Sequence, residues 1–108
     1  MNASVNLFED DDAGHLWWIA EHPDGYVVNI RRRLDPGYVV LHRANCFSIE
    51  RYPTMRENPG GFTERAYRKL CAMTISEIEA DLARRWGARE PFSKICSLCA
   101  PERGPRRR

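Results

Sequence analysis

Between Gly25 and Arg43 the chain reads GYVVNIRRRLDPGYVVLHR, two short runs rich in Val, Ile and Tyr held apart by Leu34-Asp35-Pro36-Gly37. Such residues suit the pleated, half-buried surface of a strand. Pro followed by Gly is turn chemistry. The two runs therefore predict a β-hairpin, with strands over 25–32 and 38–43. A third strand is expected over 46–52 and a fourth over 66–73, with loop composition in 53–63, PTMRENPGGFT.

Helical patterns flank this sheet. At the N-terminal side, acids at 10–12 offer a cap for AGHLWWIAEH, where Ala13, Leu16, Trp17 and Ala20 recur at helical spacing. Pro23 and Asp24-Gly25 close that helix. Adjacent Trp17 and Trp18 point about 100° apart on a helix, so one enters the core and the other faces outward. The second helix is TISEIEADLARRWG. Thr74 or Ser76 with Glu77 or Glu79 has the spacing of a capping box. Ile75, Ile78, Leu82 and Trp86 share one face, Asp81 reaches Arg85, and Gly87 ends the helix. The expected fold is an α+β domain over residues 1–100. It has a small antiparallel sheet of three or four strands, an N-terminal helix and a C-terminal amphipathic helix. Residues 101–108 form a basic tail expected to be disordered.

The four cysteines are Cys46, Cys71, Cys96 and Cys99. Four thiolates are what a tetrahedral structural zinc requires, and Cys96-x-x-Cys99 has the spacing with which a tight turn aims two sulfurs at one ion. Adjacent strands can supply Cys46 and Cys71. A domain this small has a modest core, and a zinc clip would hold the segment after Trp86, which has few apolar residues. Other readings are Cys96 and Cys99 with one or two histidines, buried apolar cysteines without metal, and a redox pair. His42 lies four residues before Cys46. Along a straight strand that puts the two side chains about 13 Å apart, too far for a Cys–His dyad unless the chain turns. His15 and His22 fall on the first helix and are expected to be structural or solvent-facing.

Charge is uneven. The net formal charge is +2, and 30% of the 108 residues are charged. Residues 31–69 hold nine basic side chains against Asp35, Glu50, Glu57 and Glu64, and the tail adds RGPRRR. Arg31, Arg32, Arg33, Arg43, Arg51, Arg65 and Arg68 are the candidate nucleic-acid contacts, interleaved with Tyr38, Phe47, Tyr52, Phe62 and Tyr67. Arginine pairs with phosphates and aromatic rings stack on unpaired bases. DNA or RNA is thus the expected partner. An alternative is a protein partner met through an exposed Trp17 or Trp18. Without a signal-peptide pattern or a long apolar run, a soluble cytoplasmic protein with no membrane segment is expected.

Gly25-Tyr26-Val27 and, after ten intervening residues, Tyr38-Val39-Val40 resemble the paired triplets of the GIY-YIG nucleases. That resemblance covers only the hairpin. It implies two hairpin tyrosines, a cation such as Arg43 on a following helix, and a metal-holding acid such as Glu77. Val27 stands where the family has Tyr, and Val40 where it has Gly. No GxSxG or phosphate-cradling glycine loop is present. The chain thus reads as a zinc-stabilised, nucleic-acid-associated binding module, with a protein-interaction module or a GIY-YIG-like nuclease as alternatives.

Overall fold

The computed structural model describes residues 5–46, 63–64, 66–87, 92–97 and 99. The hairpin is present as β2 (Tyr26–Arg31) and β3 (Val39–Arg43), paired antiparallel from Tyr26 opposite Arg43 to Ile30 opposite Val39. Asp35 makes its turn: its carbonyl accepts from the Tyr38 N–H and its Oδ1 from the Gly37 N–H. The expected fourth strand is β4 (Tyr67–Ala72). It pairs antiparallel with the other side of β2.

Two short strands complete the sheet. β1 (Asn6–Phe8) runs antiparallel to β4, and β5 (Lys94–Ile95) runs parallel to β3. Among the described residues the sheet is therefore mixed and five-stranded, in the order β1-β4-β2-β3-β5. Two and three residues leave too little alternation to be read from sequence. The strand expected over 46–52 lies outside the described residues except for Cys46, which ends the turn after β3 through its N–H to the Arg43 carbonyl. Residues 101–108 also lie outside them.

Side chains alternate between the faces of a strand. Val28, Ile30, Val39, Leu41, Leu70 and Ala72 take one face and pack with Ile78 and Leu82 of the second helix, α2 (Ile75–Trp86). That helix has the expected ends: Thr74 and Glu77 close a capping box, and Gly87 caps the C-terminus with φ 67°. Asp81 is buried between Arg84 and Arg85.

The opposite face carries Val27 and Cys71 beneath Trp18 and Ile19 of the first helix, α1 (Asp12–Glu21). Asp11 caps α1 by accepting from the Gly14 N–H at 2.8 Å. The buried stripe of α1 differs from the one expected. It is Asp12, His15, Trp18 and Ile19, while Ala13, Trp17 and Ala20 are exposed. Two polar residues hide this stripe from a hydrophobicity pattern. Asp12 tolerates burial because its Oδ1 accepts from both the N–H and the hydroxyl of Thr63, some fifty positions away. No helix among the described residues is long and apolar enough to cross a membrane.

Candidate metal centre and the basic face

The C-terminal segment lies along the outer edge of β3. Ser93 N–H donates to the Val39 carbonyl, Val39 N–H donates to Ser93 Oγ, and Cys96 N–H donates to the Leu41 carbonyl. In this parallel register Lys94 lies beside Val40 and Ile95 beside Leu41, so the next residue, Cys96, comes beside His42. The chain then turns at the end of β3, and Cys46 swings back toward His42. The straight-strand separation of His42 and Cys46 does not apply.

The result is a buried group of His42, Cys46, Cys96 and Cys99 whose ligand atoms all lie within 4.8 Å of one another. Cys46 Sγ and Cys96 Sγ are 3.8 Å apart. Zinc–sulfur bonds of about 2.3 Å at the tetrahedral angle give a sulfur–sulfur edge of about 3.8 Å, whereas a disulfide needs about 2.05 Å. All four cysteines are free thiols. Burial lowers the His42 pKa to about 4, aided by Lys69 and Lys94, so the ring is neutral at neutral pH. Its Nδ1 is buried with no hydrogen-bond partner. A neutral imidazole with a spare buried nitrogen among thiols is a donor set suited to a divalent ion.

Arg43 closes the arrangement. Its N–H donates to Cys99 Sγ at 3.1 Å, and its Nε donates to the Cys99 carbonyl at 2.8 Å. Burial raises the Cys99 thiol pKa, the Arg43 N–H lowers it, and the nearby Cys46 and Cys96 raise it further. Three thiolates outweigh a dication by one negative charge, which the Arg43 cation is placed to offset.

Cys71 stands outside this group, and His42 is the fourth member in place of the sequence-derived Cys71. In register, Val27 lies between them, opposite His42 on one side and Cys71 on the other. Two strand spacings separate them by about 9–10 Å, too far to share an ion. Cys71 instead packs fully buried under α1, where burial pushes its thiol pKa up. The H-x-x-x-C…C-x-x-C spacing was the one sequence signal for His42.

The arginines are also redistributed. Arg32 donates to Glu9 and Asp10, with Nη2 to Asp10 Oδ1 at 2.6 Å, and this bond holds the Asp10 carboxyl below its usual range. Arg68 donates from Nε to the Arg31 carbonyl and lies 3.9 Å from Glu9. Arg43 is engaged at the cysteine group. Arg31 and Arg33 are exposed, and Arg51 and Arg65 lie outside the described residues. The nuclease resemblance finds different surroundings. A turn into the cysteine group follows β3 where that family has a helix, and Glu77 Oε1 accepts from the Thr74 N–H and hydroxyl.

Lys69 is 3% exposed, and its Nζ donates to Asn29 Oδ1 at 2.7 Å. Burial lowers its pKa to about 8. The folded state therefore binds this proton less well than the unfolded state. The resulting penalty is complete below pH 8 and fades as pH rises toward the unfolded value of 10.5. Urea titrations of wild type and Lys69→Met should show a stability gap that changes in wild type's favour between those pH values. A gap constant across them would refute the buried charge.

Compared with protein-family models, with curated proteins and with solved structures, the chain matches none.

Proposed function

We propose that this protein is a zinc-stapled binding module associated with nucleic acid, without catalytic chemistry at its metal. The observation that carries this reading is the convergence of His42, Cys46, Cys96 and Cys99 on one buried point. Four protein donors fill a tetrahedral zinc and leave no position for water or substrate, which is the pattern of a structural site. Soft thiolates with one imidazole favour zinc over magnesium or calcium, which take oxygen donors. The ion's task is mechanical, holding residues 92–97 on the edge of β3.

The nucleic-acid part has narrower support. Arg32, Arg43 and Arg68 are engaged within the chain, which leaves Arg31 and Arg33 of the described candidates facing outward. Arg31 lies over two tyrosine rings. A second reading, a protein partner, is favoured by Trp17, which is 62% exposed.

Elemental analysis of untagged protein should find one zinc per chain. Cobalt substituted for zinc should give intense thiolate charge-transfer absorption together with tetrahedral visible bands. Absence of bound metal after purification under reducing, chelator-free conditions, with no uptake on zinc addition, would defeat the proposal.

A further inference from the structure

The sheet face that carries His42 has a second end, built from different chemistry. The cross-strand pairs Asn29–Lys69 and Arg31–Tyr67 continue the alternation of Val27–Cys71, so all four side chains share that face. Tyr38 joins them from the residue before β3. The Tyr38 and Tyr67 ring centroids are 5.6 Å apart, with planes inclined by 38°. The Arg31 guanidinium lies 4.7 Å from the Tyr38 centroid and 5.6 Å from that of Tyr67.

Asn29 organises this end. Its Nδ2 donates to the Tyr38 hydroxyl at 3.0 Å and its Oδ1 accepts from Lys69 Nζ at 2.7 Å. An ammonium can only donate, so the amide has one workable orientation, and that orientation sets the Tyr38 ring. Lys69 Nζ sits 5.7 Å from the Tyr67 centroid, placing a buried cation beside the ring pair. Both tyrosines are half-buried, and Arg31 is exposed. The Arg31–Asp35 contact, at 3.7 Å between half-exposed side chains, is a weak competitor for the guanidinium.

We propose that Tyr38, Tyr67 and Arg31 form a stacking platform for unpaired bases of a single-stranded nucleic acid, with Arg33 beside it for backbone phosphate. This rests on the nucleic-acid reading above and names its ligand class and site. Flat rings and a guanidinium plane can stack on any base, but a duplex keeps its base faces inside its own stack. Exposed Arg31 and Arg33 outnumber Asp35 here and complement a phosphate chain.

The test uses the zinc-loaded full chain and fluorescence anisotropy with a labelled oligothymidine of about 15 nucleotides, and a mixed-sequence duplex of the same length. Wild type should bind the single strand more tightly. Tyr38→Leu and Tyr67→Leu should each weaken that binding by about fivefold or more, since loss of one stacked base is worth about 1–3 kcal/mol. Arg33→Gln should weaken both nucleic-acid forms alike and flatten the salt dependence. Equal wild-type affinity for duplex and single strand overturns the platform, as do tyrosine variants that keep wild-type affinity and zinc content. Either result leaves the broader nucleic-acid reading standing. No binding of either form at low salt overturns both. Should the variants fail to fold, photocrosslinking of a 5-iodouridine oligonucleotide to wild type decides. Adducts on Tyr38 or Tyr67 support the platform, and adducts confined elsewhere overturn it.

Discussion

Stripping the proposed zinc, or replacing Cys96 by Ser, should free residues 92–97 from β3 while β1 to β4 stay folded. β5 is only Lys94–Ile95, and a two-residue edge strand has little stability of its own. Among the described residues of the segment, Phe92, Cys96 and Cys99 give it apolar anchorage, while Ile95 is exposed. Structural zinc contributes about 10–16 kcal/mol in small zinc-dependent domains, where the whole fold depends on it. Here the Val28–Leu70 core is built without it, so the loss should be local. Hydrogen exchange at the Ser93 and Cys96 amides should accelerate by about 100-fold or more, equivalent to about 2.8 kcal/mol of lost protection. Amides of Val28 and Leu70 should hold theirs.

Metal retention across variants separates the two candidate ligand sets. His42→Ala should lose zinc, and His42→Cys should keep it as a four-thiolate site. Cys71→Ser should keep one equivalent while losing stability, because it puts a hydroxyl into a fully buried apolar position. Retention by His42→Ala together with loss in Cys71→Ser would restore the four-cysteine set and break the geometric argument.

The second large effect concerns the tryptophan pair. Trp18 is 5% exposed, lies in the core with Val27 and Cys71, and stacks on His22 at 4.4 Å. The fold is shaped around it at Gly25, where an added Cβ would come within 2.7 Å of Trp18 Cη2. Trp18→Ala should cost about 3–5 kcal/mol in urea unfolding, a large share of what a domain this size holds. Trp17→Ala should stay within about 0.5 kcal/mol. Comparable losses in the two variants would contradict the packing of α1.

How legible these features were depended on how local their causes are. The hairpin, the Asp35 turn, the capping box at Thr74 and Glu77, and the Gly87 stop are decided by residues within four or five positions, so pattern and spacing reveal them. The existence of α1 was readable for the same reason, but its buried side was not. That side depends on Thr63, which donates twice to Asp12 Oδ1 and so helps a carboxylate face inward. Arg32 looked available for phosphate because its partners, Glu9 and Asp10, are more than twenty positions away.

The candidate metal centre divides in the same way. Cys96-x-x-Cys99 announced itself, as did the need for distant partners. The choice of partner came from register: a parallel edge strand sets Cys96 beside His42, and β2 stands between His42 and Cys71. Local chemistry along the chain thus specified the α+β class, the turn and helix ends, and three of the four grouped donors. Strand order and long-range pairing alone selected His42 and engaged Arg32, Arg43 and Arg68, because a contact between residues more than twenty positions apart leaves no periodic trace in either segment.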